Sequence, residues 1–108
     1  MQTFRFQKLD SYQVAKRVCA RVHALKIGQR ELRDHAERAA LSSFLNLSEG
    51  CAGRADGNRK RHFALALGSL GEVSAALDMA ITLGLVGDDA ELESLIARLG
   101  AMLTAMLR

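Results

Sequence analysis

The sequence predicts an all-α protein, an antiparallel up-and-down four-helix bundle in a single domain over residues 1–108. Apolar residues make up 49% of the chain and Pro is absent, a composition that costs little in a helix. Apolar residues also recur every three or four positions in four successive segments joined by short connections. Four such helices pack most simply as an up-and-down bundle around one core.

The first helix is predicted over residues 9–27, where apolar side chains repeat at helical spacing between basic ones. Asp10 or Ser11 can cap its start, and Gly28 suits a left-handed residue at its end. A second helix is predicted over residues 29–54. Its two apolar faces imply more than one packing neighbour.

The segment "RADGNR" is typical of a turn followed by a helix cap, so a third helix is predicted from about residue 58 to residue 84. Within it, we interpret Gly68, Ser69 and Gly71 as small residues that let another helix approach closely. Asp88 and Glu91 have the spacing of a capping box and predict the start of the last helix.

Two pairs of polar residues interrupt the apolar middle helices. Asn46 and Glu49 lie at i, i+3 on the second helix, and Ser69 and Glu72 lie at i, i+3 on the third. Counting outward from the turn places Asn46 and Ser69 nearly level across the hairpin. We therefore predict a structural polar layer that fixes the register of these two helices, since mispairing leaves polar groups unsatisfied at about 1–3 kcal/mol each.

The two carboxylates of this layer need cations, which Arg54 or Arg61 could supply. An acid–base pair is the catalytic alternative, but the sequence offers no nucleophile, metal or substrate pocket to work with it. A binding role for the layer also stays open.

Basic residues are concentrated in two places. Residues 1–27 hold six Lys or Arg and one acidic residue, whereas residues 88–108 hold two and four. The segment "NRKRH" puts three cations at a helix start, where the helix dipole disfavours them and favours an anion. We predict that these basic residues bind nucleic acid through phosphate contacts that do not depend on base sequence. The alternative is a solvated charge cluster. The predicted residues are Arg17, Arg21, Arg54, Arg59, Lys60 and Arg61.

Several chemistries find no support in the sequence. His23, His35 and His62 lie on separate predicted helices without a Glu-x-x-His motif, so no metal site is predicted. Cys19 and Cys51 are 32 positions apart and form no C-x-x-C motif, so we interpret them as buried reduced thiols. No G-x-S-x-G elbow or phosphate loop occurs. The chain is predicted to have no catalytic residues and no cofactor.

Three separated motifs resemble a known family. "FQKLDSYQVA", "RAALSSFLNLSEG" and "RHFALALGSLGEV" are similar to motifs of the small helical proteins encoded by intervening sequences in bacterial large-subunit ribosomal RNA genes. The family commonly has Pro where this chain has Leu45, so an expected kink is missing. The resemblance implies a non-enzymatic protomer that assembles into a homo-oligomer, typically a pentamer. It also implies kinship with accessory proteins of diversity-generating retroelements, which engage a reverse transcriptase and nucleic acid.

Two functional hypotheses follow. One is an oligomeric module that binds RNA or another polyanion through its basic surface; the other is a protein-binding scaffold whose charges only keep it soluble. No signal peptide and no uninterrupted apolar run of about 18 residues is found, so a cytoplasmic protein without membrane contact is expected.

Overall fold

The residues that the structure describes fold into a bundle of four α-helices. The computed structural model describes residues 1–53 and 57–108. A 3-10 turn over Arg5–Lys8 precedes the helices, which are α1 (Asp10–Leu25), α2 (Arg30–Ala52), α3 (Gly57–Thr82) and α4 (Ala90–Met106). Each helix packs on its two neighbours, α1 on α2 and α4, and α3 on α2 and α4. The predicted all-α class is confirmed.

The core forms where the apolar stripes of the four helices meet. α2 and α3 make the most extensive contact, as expected of a long hairpin. The largest fully buried side chains come from all four helices and from the α1–α2 connection: Val18, Val22, Ile27, Leu47, Val73, Leu92, Leu99 and Leu103. Burial of these stripes, rather than helix propensity alone, stabilises such helices.

Three predicted helix ends are wrong by one or two residues. The cap of α4 is Asp89, whose carboxylate accepts a hydrogen bond from the Leu92 N–H at 3.0 Å. Asp88 lies one position too early to do this. α1 begins at Asp10 after Leu9, which makes no side-chain cap. The left-handed residue at the end of α1 is Lys26, with φ of 48°, and not Gly28.

The close approach of two helices occurs at Gly50 instead of at the predicted glycines. A Cβ on Gly50 would lie 2.5 Å from Cε1 of Phe63, a buried ring on α3. At Gly68 and Gly71 a Cβ would meet no atom within 4 Å. The interpretation of these two as close-packing positions is therefore wrong, because both face open space.

The start of α1, the end of α2 and the start of α3 meet at one end of the bundle. Burial raises the pKa of the Cys51 thiol, while the Arg59 guanidinium and the Ser11 side chain lower it, which places both residues close to this thiol. The rings of Tyr12 and Phe44 pack nearby, with centroids 5.0 Å apart. The opposite end holds the end of α1 and the start of α4.

α3 is long and apolar enough to cross a membrane by length and composition, with a mean hydropathy of 1.4 over an 18-residue window. Within the described ranges no second helix has these properties. A helix that packs in the core of a folded protein can have the same length and composition, and α3 buries a stripe from Phe63 to Ala80 against its neighbours.

Candidate functional site

A polar cluster joins α2 and α3 where the sequence predicts the polar layer. Ser42 and Ser69 share a hydrogen bond between their hydroxyls at 2.9 Å. The Asn46 amide donates to the Ser42 carbonyl at 3.0 Å, and its oxygen lies 3.1 Å from Nδ1 of His62. Since an amide oxygen only accepts, this Nδ1 carries a proton and donates. Ser42 thus links Asn46 to Ser69, which are the two residues expected to be level.

A second hydrogen bond pins the same hairpin from within the core. Ser43 is buried, and its hydroxyl donates to the Ala66 carbonyl at 3.0 Å. The polar layer predicted from the sequence did not include Ser42, Ser43 or His62. The position of Ser42, one helical turn before Asn46, could have indicated that the two side chains interact.

The structure differs from expectation at the two carboxylates. Glu49 and Glu72 are exposed, and neither side-chain carboxylate makes an ion pair or hydrogen bond with the residues that the structure describes. Three residues advance a helix by roughly 300°, so each Glu is turned about 60° from its polar neighbour, away from the core. The carboxylates therefore face solvent and need no buried cation from Arg61. Arg54, the other suggested partner, lies outside the described residues.

Arg17 and Arg21 tie α1 to the start of α4. Arg21 makes two hydrogen bonds of 2.8 Å to the Asp89 carboxylate and one of 3.2 Å to Glu91, and Arg17 approaches Glu91 at 3.0 Å. The two Arg residues lie one helical turn apart and so reach the same end of α4. Both guanidinium groups are thus paired with acidic side chains of the same chain.

The paired carboxylate predicts a pH-dependent contribution to stability. The Leu92 N–H and then the Arg21 guanidinium hold the pKa of Asp89 below its ordinary value. The stabilisation is therefore present above the unfolded pKa of about 3.9 and is lost as the pH falls through the lower folded pKa. We expect the difference in melting temperature between wild type and Asp89→Asn to be clear at pH 7 and to shrink below about pH 3.9.

The matched variant Asp89→Ala separates the cap from the charge. Asn keeps an oxygen that accepts from Leu92, whereas Ala loses the cap and should cost a further 0.5–2 kcal/mol or so. Equal melting temperatures for the Asn and Ala variants at pH 7 would contradict this assignment of the cap.

Apart from Arg54, which is outside the described residues, the remaining predicted cations lie at the start of α3. Lys60 and Arg61 are exposed and make no ion pair with any described residue. Arg59 is half-buried, with its guanidinium carbon 5.7 Å from the centroid of the Phe63 ring. The first turn of α3 also presents the positive end of the helix dipole. Lys60 and Arg61 are thus positioned to meet an anion in solution.

No cluster of metal-binding side chains is found in residues 1–53 and 57–108. Cys19 and Cys51 are half-buried free thiols, and burial raises the pKa of both. Raised pKa values keep thiols protonated and weakly nucleophilic near pH 7.

The four packed helices and the exposed charged side chains place the chain among small helical-bundle proteins. A profile described as 23S rRNA-intervening sequence protein matches residues 7–105, nearly the whole chain. The chain belongs to this family. A search of curated proteins finds no match.

Proposed function

We propose that the chain is a non-enzymatic, cytoplasmic, self-assembling bundle that binds RNA or another polyanion at the start of α3. The observation that carries the proposal is the exposure of Lys60 and Arg61 beside a helix N-terminus. Two exposed cations and the positive end of a helix dipole can bind phosphate groups whatever the base sequence. Arg17 and Arg21, which pair with acidic residues, are left out of this surface.

Apolar surface that the fold leaves uncovered supports the self-assembly. Leu41 and Leu45 lie one turn apart on α2, opposite its buried face, and are 46% and 51% exposed. α3 adds two further exposed apolar side chains, Leu65 and Met79. Exposed apolar side chains that lie side by side, as Leu41 and Leu45 do on α2, are the kind of surface that a second copy could cover. The family resemblance implies a pentamer, so we expect light scattering to give a mass several times that of the 11.7 kDa protomer.

The test of polyanion binding is retention of RNA by wild type and by the double variant Lys60→Glu, Arg61→Glu across a range of salt. Each lost phosphate contact on single-stranded RNA lowers the slope of log K against log salt by about 0.7. We therefore expect the double variant to bind on the order of tenfold more weakly at low salt, with a slope smaller by about 1.4.

The matched control is Arg38→Glu, Arg98→Glu, which changes the net charge by the same amount at exposed positions on α2 and α4. If both double variants lose the same RNA affinity, binding depends on net charge, which would contradict a site at the start of α3. Wild type that ignores RNA at both low and moderate salt, while capturing a protein, would favour the scaffold alternative.

A further inference from the structure

An apolar groove lies between α3 and α4 near the end of the bundle that holds the α4 start. Its cavity volume is about 640 Å³. Small residues on the two helices, Gly71, Ala75 and Ala97, leave room between them, and larger apolar side chains such as Leu92 and Ile96 line the interior. We call this cavity the α3–α4 groove. Its size and apolar lining suit a few bulky side chains.

The rim of the groove is acidic. Asp78 from α3 and Glu93 from α4 both line it, both are exposed, and neither carboxylate pairs with a described residue. Asp89 also lines the groove, but Arg21 already answers its charge. The lining contains no Lys, Arg or His among the described residues. An occupant of this groove should therefore be apolar and carry positive charge.

The N-terminal segment, residues 1–8, has that chemistry. Phe4 is 64% exposed even though its ring stacks on Phe6 with centroids 5.9 Å apart. Arg5 and Lys8 are exposed, and the segment contains no acidic residue. It presents an aromatic side chain flanked by two cations, the complement of the groove.

The segment cannot enter the groove of its own chain. Phe6 packs edge-on against Tyr12 at 5.7 Å, which holds the segment at the start of α1. The groove instead contacts Leu25, at the end of α1. These positions on α1 are about 20 Å apart, whereas two residues of chain carry Phe4 only about 7 Å beyond Phe6.

We propose that the N-terminal segment of one copy docks in the α3–α4 groove of a second copy, with Phe4 inside and with Arg5 and Lys8 beside Asp78 and Glu93. The two surfaces lie at opposite ends of the bundle, so the contact is head-to-tail, and such contacts propagate into rings or filaments. This inference rests on the proposed self-assembly and names one contact through which it occurs.

The experiment is a charge exchange read out as solution mass at equal protein concentrations. We expect Arg5→Glu, Lys8→Glu and Asp78→Lys, Glu93→Lys each to weaken self-association at least tenfold. The quadruple variant restores opposite charges across the contact and should regain the mass of wild type. All four substituted side chains are exposed, so far-UV circular dichroism should show the same helical content throughout. Phe4→Ala should weaken association without changing charge.

The outcomes separate this inference from the proposed function. If both double variants form an oligomer of the same mass as wild type, the docking is overturned but self-assembly is not. A quadruple variant that is folded yet dissociated overturns it as well, and a monomeric wild type overturns both docking and self-assembly. Lys60→Glu, Arg61→Glu should lower RNA retention while leaving the mass unchanged.

Discussion

Replacing Leu47 with alanine is expected to lower the free energy of unfolding by about 2–5 kcal/mol. Leu47 is fully buried on α2, within the cluster that joins all four helices. Its truncation removes apolar atoms from the core and leaves a cavity that surrounding side chains fill only in part. A loss of this size is a large share of the 5–15 kcal/mol or so that stabilises a typical domain.

Urea unfolding of wild type and variant at one protein concentration measures the change, since self-association would otherwise add to the apparent stability. The midpoint should fall while the slope with urea stays the same. The control is Leu47→Met, which conserves volume and should cost less than about 1.5 kcal/mol. If the Ala variant loses no more than the Met variant, Leu47 does not fill the core as the structure shows.

Leu47 also illustrates what could be predicted from the sequence. Apolar residues at steps of three and four along α2 predict both the helix and its buried face, and Ala36, Ser43, Leu47 and Gly50 are indeed buried on it. Such periodicity is a property of neighbouring residues and needs no knowledge of the partner helix. The four helices therefore follow from local pattern.

Helix ends were less predictable because adjacent residues offer the same chemistry. Asp88 and Asp89 are equally good caps in isolation, and only the position of the Leu92 N–H selects the second. Lys26 adopts a left-handed conformation that local preference assigns to glycine. Nothing in the neighbouring sequence indicates that Gly28 is passed over.

The candidate site depends on contacts between residues that are distant in the chain. Arg21 and Asp89 are 68 positions apart, so a sequence shows the charge of Arg21 but not its partner. The prediction of a basic surface therefore counted Arg17 and Arg21, whose charges the fold answers internally. Lys60 and Arg61 stay candidates because the fold leaves them exposed at a helix start.

Gly50→Ala is expected to lower the free energy of unfolding by about 1–3 kcal/mol. In an ordinary helix the same change raises stability by roughly 0.5–1 kcal/mol, because Gly loses more conformational freedom on folding. Here the new Cβ would lie 2.5 Å and 2.8 Å from two carbons of the Phe63 ring. That ring is only 3% exposed, and the Arg59 guanidinium lies near it, so it has little room to move.

Gly68→Ala is the matched control, since it lies within a helix but faces open space. Thermal unfolding should therefore shift in opposite directions, downward for position 50 and upward for position 68. Phe63→Leu in the Gly50→Ala background should recover part of the loss, because a smaller side chain leaves room for the methyl group. Two alanine variants that are both more stable than wild type would show that α2 and α3 are not pressed together at Gly50.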